Sequence, residues 1–239
     1  MGRAAAGPTV TARDDILGGI RRSLGRGALG GAPAEEIAER VAAHRRNLIP
    51  ARATALEAAG RVDLFVQMAE AVQTTVARVG ADSDVPGEVA RYLAAENLPA
   101  EVRMAPDASL DALPWGDRPL LQVQHGKAEP GDAVSLTPCL AAIAETGTLM
   151  LTSGEATPTT LNFLPDTHIV VLRAGQVVAS YEDGWDLLRA QSTDKLWGLP
   201  RTVNFITGPS RTGDIEQRIE LGAHGPRRLH VILVDGASH

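Results

Sequence analysis

The segment HIVVLRAGQVVASYEDGWDLLRAQ, residues 168–191, decides the fold class of this chain. Its apolar run His168–Arg173 and its second run Gln176–Ala179 are typical of strands, and Glu182–Gln191 has the spacing of a helix. Strands that alternate with helices along a chain form largely parallel sheets with helices on both faces. The segment therefore predicts an α/β fold, with a largely parallel sheet sandwiched by helices.

Further runs of the same kind extend this prediction in both directions. Five more strands are predicted, at Glu101–Met104, Leu120–Gln124, Gly147–Thr152, Thr202–Thr207 and Leu229–Val234. Three more helices are predicted: one through Phe65, Met68, Val72, Val76 and Val79 to Gly80, one from Pro86 to Asn97, and one at Asp214–Leu221. Ligands of parallel sheets bind beyond the carboxyl ends of strands, so a site is expected in loops that follow strands.

The N-terminal residues 1–53 are predicted to form a helical extension and arm, and residues 54–239 the α/β domain. Asp14–Leu24 and Ala34–His44 have helical spacing, and the Gly-rich residues 25–33 connect them. Residues 45–53 contain Pro50 and are predicted to be extended. We interpret the extension as a packing arm, which is compatible with a homo-oligomer. Disorder of the first dozen residues fits the sequence equally well.

Composition and charge argue against several classes of function. The chain has 239 residues, a net charge of −6 and no basic stripe of the kind that binds nucleic acid. Cys139 is its only cysteine, which excludes an intrachain disulfide or an iron–sulfur cluster held by this chain, and predicts a core position. The six histidines lack metal-binding spacing, so no metal is predicted. Without an apolar span or signal region, a cytoplasmic protein away from the membrane is expected.

The first candidate site segment is AETGTL, residues 144–149, at the start of an apolar run. Glu145 in such a place is a candidate general acid or base, or a group that grips a substrate hydroxyl, with Thr146 and Gly147 beside it as substrate-binding residues. A strand-edge glutamate that bonds nearby backbone, with Gly147 in a bulge, explains the same residues. Both interpretations stay open.

The second candidate segment is ITGPSRTGDIE, residues 206–216, predicted to run from a strand through a Gly-Pro turn into a helix. Backbone N–H groups of such a turn, a helix N-terminus and an arginine together bind a carboxylate or phosphate. The predicted binding residues are Gly208, Ser210, Arg211, Thr212 and Asp214. Thr212 or Asp214 can equally be a helix N-cap and nothing more.

The third candidate segment is LGAHGP, residues 221–226, which carries a histidine between glycines. His224 can transfer protons near neutral pH or bind an anionic group. It can also be a structural residue at the C-terminus of the predicted helix, where Gly222 or Gly225 supplies a positive φ angle.

Four stretches of the second half carry a family resemblance: IAETGTLMLTSG (143–154), LPDTHIVVL (164–172), VNFITGPSRTGDIEQRIELGAHGP (203–226) and HVILV (230–234). ARDDILGGIRRSLGR (12–26) adds to it near the start of the chain. In these stretches the sequence resembles the LUD-domain family and, within it, the lactate utilization protein C group.

The resemblance implies a fold similar to the NagB/RpiA/CoA-transferase class and a role in oxidising L-lactate to pyruvate. It implies two iron–sulfur partner proteins that hold the clusters, with no cofactor in this chain and a small carboxylate such as lactate or pyruvate as ligand. In that interpretation Arg211 and the loop N–H groups hold the carboxylate, and Glu145 or His224 handles the hydroxyl proton. The alternatives are a stand-alone transferase or ligase on a larger anionic metabolite, similar to formyltetrahydrofolate cyclo-ligase, and a non-catalytic scaffold.

The chain departs from the pattern of these relatives at residues 155–165. Relatives often carry a basic residue and a Ser-Leu-Leu-Pro run there, whereas this chain has EATPTTLNFLP. The departure predicts a different ligand, or a different affinity for the same ligand.

Overall fold

The computed structural model describes residues 11–27, 29–46, 48–191, 198–215 and 218–236. The chain divides into two compact units, residues 1–48 and residues 49–239. The sequence placed this boundary after residue 53, but Ala53 is fully buried in a core cluster of the second unit. Most of the first dozen residues, for which disorder was one alternative, lie outside the described part of the chain.

The first unit contains two helices, α1 (Ala12–Ser23) and α2 (Ala32–Ala43). Helix α1 begins with a capping box, in which the Thr11 hydroxyl accepts from the Asp14 N–H at 3.3 Å and the Asp14 carboxylate bonds back to Thr11. Both helices agree with the predicted ones to within two residues at each end. Neither helix has a buried residue, and Ile16, Ile20, Ile37 and Val41 are exposed.

The second unit has the following elements among its described residues: α3 (Ala51–Thr54), α4 (Ala58–Ala71), β1 (Thr75–Val79), α5 (Val85–Ala95), β2 (Glu101–Met104), α6 (Ala108–Asp111), β3 (Gln122–His125), β4 (Val134–Pro138), β5 (Ala141–Ile143), β6 (Thr148–Thr152), α7 (Thr160–Phe163), β7 (Thr167–Arg173), β8 (Val177–Val178), α8 (Tyr181–Gln191), β9 (Val203–Ile206), β10 (Arg211–Ile215), β11 (Arg218–Leu221) and β12 (Arg228–Val234). Within the described ranges, no helix is long and apolar enough to span a bilayer.

The central sheet is six-stranded and entirely parallel, in the order β1-β12-β7-β4-β2-β3. Its middle strands are almost continuously apolar because both faces are covered. Helix α5 packs on one face, where Val89 and Leu93 meet Ile169 and Ile232. Helix α4 packs on the other face through Phe65. The predicted α/β class, with a largely parallel sheet between helices, is confirmed.

A second sheet of four strands, in the order β8-β5-β6-β9, covers the same face as α4. Its β5–β6 and β6–β9 pairs are antiparallel, and only β5–β8 is parallel. Helix α8 packs on the outside of this sheet, where Leu188 contacts a cluster that includes Met150. The runs predicted at 147–152, 176–179 and 202–207 are therefore strands, as expected, but they do not belong to the parallel sheet.

Two predicted helices are wrong. Helix α4 ends at Ala71, and Gln73, with a φ of 71°, turns the chain so that Val76 and Val79 lie in β1 beside β12. The predicted helix at 214–221 is instead part of an antiparallel pair, in which Arg211 of β10 faces Leu221 of β11. Alternating apolar residues fit a strand as well as they fit one side of a short helix, and only the pairing decides.

The sequence also missed elements that the structure contains. Strands β4 and β5 flank Cys139, which is buried as predicted. Burial raises the pKa of its thiol to about 12. Residues 51–54, predicted to be extended, form the short helix α3 directly after Pro50, whose fixed φ favours a helix start.

Candidate functional site

The smaller sheet brings the first two candidate segments together. Strand β6 pairs with β9 so that Leu149 faces Ile206, which places the turn before β6 next to the loop after β9. The hydroxyl oxygens of Thr148 and Thr207 are 2.7 Å apart across this junction. The pairing of β6 with β9 therefore brings the two segments together at one end of the smaller sheet.

A cluster of four hydroxyl groups joins the two segments. Thr146 and Thr148 are 2.7 Å apart at their hydroxyl oxygens, and the Tyr181 hydroxyl lies 3.1 Å and 3.0 Å from them. Thr207 completes the cluster through Thr148. Because each hydroxyl both donates and accepts, the four groups satisfy one another and fix the two loops to α8.

Two glycines dock the loops on the end of α4. Gly147 has a φ of 66°, and a Cβ there would overlap the backbone of Ala69 in α4. Gly208 has a φ of 78°, and a Cβ there would overlap the carbonyl oxygen of Val72, the C-cap of the same helix. Both positions therefore require glycine for conformation and for close approach. Gly147 lies in the β5–β6 turn and not in a bulge of a strand.

Glu145 lies in the turn between β5 and β6 and is 7% exposed. The Glu145 N–H donates to the Ala179 carbonyl at 3.3 Å, and the Arg52 guanidinium donates to the Glu145 backbone carbonyl. Its Oε2 is buried and has no hydrogen-bond partner among the described residues. The carboxylate is as buried as the sequence suggested, but it does not border the cavity described next.

A cavity of about 260 Å³ lies beside the loop after β9. Its described lining is Asn162, Phe163, His168, Phe205, Ile206, Thr207, Gly208, Pro209, Ser210, Arg211, His224, Gly225, Pro226 and Leu229. Four predicted site residues, Gly208, Ser210, Arg211 and His224, therefore share one cavity. His168 and Leu229 are the second residues of β7 and β12, so the cavity is at the amino ends of the central strands. The sequence predicted a site beyond the carboxyl ends of strands. Of β7, β9 and β12, only β9 has its carboxyl end at this cavity.

Hydrogen bonds tie the Ser210 loop to the His224 turn. The Ser210 N–H donates to the Pro226 carbonyl at 2.8 Å, the Gly222 N–H donates to the Ser210 carbonyl at 3.0 Å, and the His224 N–H reaches the Ser210 hydroxyl at 3.3 Å. These contacts shape the cavity wall and leave the side chains of Arg211 and His224 exposed. They also occupy the Ser210 N–H, which is then not free to bind an anion.

The predicted helix N-terminus at this site is wrong. Strand β10 follows the Gly208 loop, so no helix dipole points at a ligand, and neither Thr212 nor Asp214 is an N-cap. The side chains of both residues lie outside the described part of the structure. Thr212 pairs with Glu220 in the hairpin, and Asp214 lies where its register is irregular. For the same reason His224 is not at a helix C-terminus, and Arg211 remains the cationic group of the cavity.

His168 is the cavity residue that sequence reasoning missed. It is 0% exposed, and burial lowers the pKa of its imidazole to about 3. Its Nε2 is 2.7 Å from the Thr137 hydroxyl, while its Nδ1 is buried with no partner among the described residues. A histidine inside the apolar run HIVVL was the available signal, because buried polar groups in strands need a partner.

Another cavity, of about 440 Å³, lies between α5 and the residues before β3. Alanine and leucine side chains form most of its wall, with Asp117 and Arg118 at one side. It contains none of the predicted site residues. Its apolar lining offers few groups that could orient a small polar ligand, so the smaller cavity is the stronger candidate site.

Comparison with known proteins places these features in a family. The LUD domain family matches residues 132–234. A lactate utilization protein C from Deinococcus radiodurans is 36% identical over 157 residues, covering 64% of this chain and 69% of the relative. Proteins of the same name from Geobacillus sp. and Bacillus subtilis are 36% and 32% identical, over 38% and 45% of this chain and 38% and 44% of their own lengths.

A solved structure has the same fold. The crystal structure of a DUF162 family protein from Deinococcus radiodurans at 1.70 Å is 27% identical, with a TM-score of 0.55, and the match covers 75% of this chain and 99% of that one. The chain therefore belongs to the LUD-domain family, among relatives named lactate utilization protein C.

Proposed function

We propose that this chain is a component of an L-lactate utilization system and that its small cavity binds a carboxylate such as lactate or pyruvate. The observation that carries the proposal is the meeting of Ser210, Arg211 and His224 with the buried His168 around one cavity. Its volume of about 260 Å³ is below the roughly 300–1,000 Å³ usual for drug-sized ligands, which suits a small molecule.

Each cavity residue has a role that its chemistry supports. Arg211 offers a planar guanidinium for a two-point contact with a carboxylate. His224, exposed at the same cavity, can take or return the proton of the ligand hydroxyl. Glu145 does not border the cavity, so we assign it the role of holding the 144–147 turn. Thr146 acts in the same way, through the hydroxyl cluster.

The oxidation of lactate releases two electrons, which need an acceptor outside this chain. The names of the relatives support the link to lactate utilization, and one buried cysteine cannot ligate a cluster by itself. The proposal therefore includes two iron–sulfur partner proteins that hold the clusters, and an assembly that works in the cytoplasm.

Calorimetric titration of the full chain with L-lactate and with pyruvate tests the proposal. The Arg211→Ala variant is expected to bind about 10- to 100-fold more weakly, the usual loss when a charged hydrogen bond is removed. Arg91→Ala is the matched control, because Arg91 is exposed on α5 and pairs with Glu88. Absence of binding by the wild-type chain, or equal losses in the two variants, would contradict the proposal.

The stand-alone transferase or ligase alternative expected a phosphate cradle at residues 208–212. The Ser210 N–H is engaged by Pro226, and a hairpin stands where a helix N-terminus was needed. Both observations count against an anion held by the loop N–H groups, so the carboxylate proposal rests on the Arg211 guanidinium.

The scaffold alternative has one observation in its favour. Helices α1 and α2 expose large apolar side chains at Ile16, Ile20, Ile37 and Val41, and neither helix has a buried residue. We therefore propose docking of the partner proteins as a second role, carried by residues 1–48. Ile20→Gln with Val41→Gln is expected to abolish co-purification with the partners, whereas a Glu36→Gln control retains it. Co-purification of the double variant at wild-type yield would count against this role.

A further inference from the structure

One nitrogen of the His168 imidazole has a hydrogen-bond partner, and the other has none among the described residues. Its Nε2 meets the Thr137 hydroxyl at 2.7 Å, and its Nδ1 is fully buried with no partner among the described residues. Leaving such an atom unpaired costs about 1–3 kcal/mol, so a retained one commonly has a functional partner. The cavity lies directly against this residue.

Neutral imidazole gives His168 two hydrogen-bonding states. In one tautomer Nε2–H donates to Thr137 and Nδ1 accepts, and in the other Nδ1–H donates while Nε2 accepts from the Thr137 hydroxyl. The threonine hydroxyl serves both states, since it can donate or accept at the same 2.7 Å position. Burial keeps the ring uncharged near neutral pH, so both states are available without gain or loss of a proton.

The cavity wall also carries a charged group, in contrast to the uncharged His168. Arg211 is exposed and always charged, so it suits the carboxylate end of a ligand. His168 is buried and uncharged, so it suits a neutral oxygen. A ligand that carries both a carboxylate and a neutral oxygen matches the chemistry of these two residues.

We propose that His168, oriented by Thr137, binds the oxygen on C2 of the ligand and changes tautomer with its oxidation state. It accepts from the hydroxyl of a 2-hydroxycarboxylate and donates to the carbonyl of a 2-oxocarboxylate. The inference rests on the proposed function, because it needs a carboxylate in the same cavity. It explains how one site holds both the substrate and the product of an alcohol oxidation with comparable affinity.

Nitrogen-15 NMR of the histidine-labelled full chain tests the tautomers directly. With saturating pyruvate, Nδ1 of His168 is expected to carry the proton, and with saturating L-lactate Nε2 carries it. His230 is an internal control, because it is also buried beside a threonine but lies outside the described cavity lining. A single tautomer of His168 in both complexes would overturn the inference.

Affinity provides the second readout. His168→Leu is expected to weaken binding of both ligands about 5- to 10-fold, the usual loss of one hydrogen bond. His168→Asn, which restores a polar atom near the Nδ1 position, is expected to recover part of that loss. His230→Leu is expected to bind like the wild type.

The outcomes separate the two proposals. Wild-type binding that is unchanged in His168→Leu would overturn the role of His168 and leave the small-carboxylate site intact. A wild-type chain that binds neither ligand would overturn both proposals. Equal weakening by His168→Leu and His230→Leu would show a general loss of packing and would also overturn the role of His168.

Discussion

Two buried histidines lie on opposite faces of neighbouring strands in the central sheet. His168 of β7 bonds to Thr137 at 2.7 Å, and His230 of β12 bonds to Thr75 at 2.8 Å. The Tyr92 ring covers His230 with its centroid 3.9 Å away, and Glu88 approaches its Nε2 at 3.4 Å without hydrogen-bond geometry. Among the described residues no aromatic ring stacks on His168, which is one of the residues that line the small cavity.

The difference teaches that burial alone does not mark a site. Burial lowers the pKa of both rings, to about 3 for His168 and about 4 for His230. The two residues differ in their surroundings, since only His168 is among the lining residues of the described small cavity. His230 is thus a structural residue in the packing of α5, whereas His168 is a candidate ligand contact.

Removing the aromatic ring that packs on His230 is expected to have the largest effect on stability. Tyr92→Ala removes the ring that packs on His230 and should lower the free energy of unfolding by about 3–5 kcal/mol, as other buried aromatic truncations do. Phe163→Ala removes one of the aromatic residues that line the cavity beside His168, where it is already 39% exposed, and should cost much less. Denaturant unfolding measures both. Equal losses of stability would contradict the contrast between a histidine covered by an aromatic ring and a histidine beside a cavity.

Straining the cavity loop is expected to have the next largest effect. Gly208→Ala places a Cβ against the Val72 carbonyl at a φ of 78°, which should cost about 1–3 kcal/mol of stability and displace the loop from α4. Gly175→Ala is the matched control, with no positive φ and no atom within 4 Å of the added carbon. Thermal unfolding and pyruvate titration are the measurements. A Gly208→Ala variant that unfolds and binds like the control would contradict the account of this loop.

Acid is expected to destabilise both histidine sites. Their folded-state pKa values lie below the usual 6.5, so the unfolded chain takes up these protons first as the pH falls. Stability from this source is complete above pH 6.5 and falls toward pH 4 for His230 and pH 3 for His168. Each contributes a slope of about 1.4 kcal/mol per pH unit. Denaturant unfolding from pH 7 to 4 should show a smaller slope in His168→Gln and in His230→Gln, and an unchanged slope would contradict the burial of that ring.

Removing the hydroxyl of Thr137 or of Thr75 is expected to have the smallest effect on stability. The two variants should nevertheless differ clearly in ligand affinity. Thr137→Val and Thr75→Val should each cost about 1 kcal/mol, the net worth of one hydrogen bond. Only Thr137→Val should change ligand affinity, because Thr137 orients the histidine at the cavity. Unfolding and calorimetry on the same samples measure both quantities. Equal affinities for the two variants would argue against a special role for Thr137.

Much of the fold was predictable because periodicity reports burial. Runs such as His168–Arg173 and Leu229–Val234 are almost continuously apolar, since both faces of their strands are covered. Residues 211–221 were not predictable as a hairpin, because local spacing there fits two structures and the pairing of β10 with β11 is not local. The separation of β6 and β9 into a second sheet is likewise a matter of long-range pairing.

The sequence pointed to part of the cavity lining but not to the architecture around it. The glycines, Ser210, Arg211 and His224 stand out by type, and the structure gathers four of them at one cavity. The departing residues 155–165 contribute Asn162 and Phe163 to the cavity wall, and their effect on the ligand stays a prediction. His168 was hidden within a strand, because a single polar residue in an apolar run does not show which way it faces or what space lies beside it.

A crystal structure of the full chain grown with saturating pyruvate tests the central claim most directly. The account predicts pyruvate in the small cavity, with its carboxylate at Arg211 and its C2 oxygen within hydrogen-bond distance of Nδ1 of His168. Pyruvate bound only elsewhere, or bound in the cavity with its C2 oxygen away from His168, would contradict it.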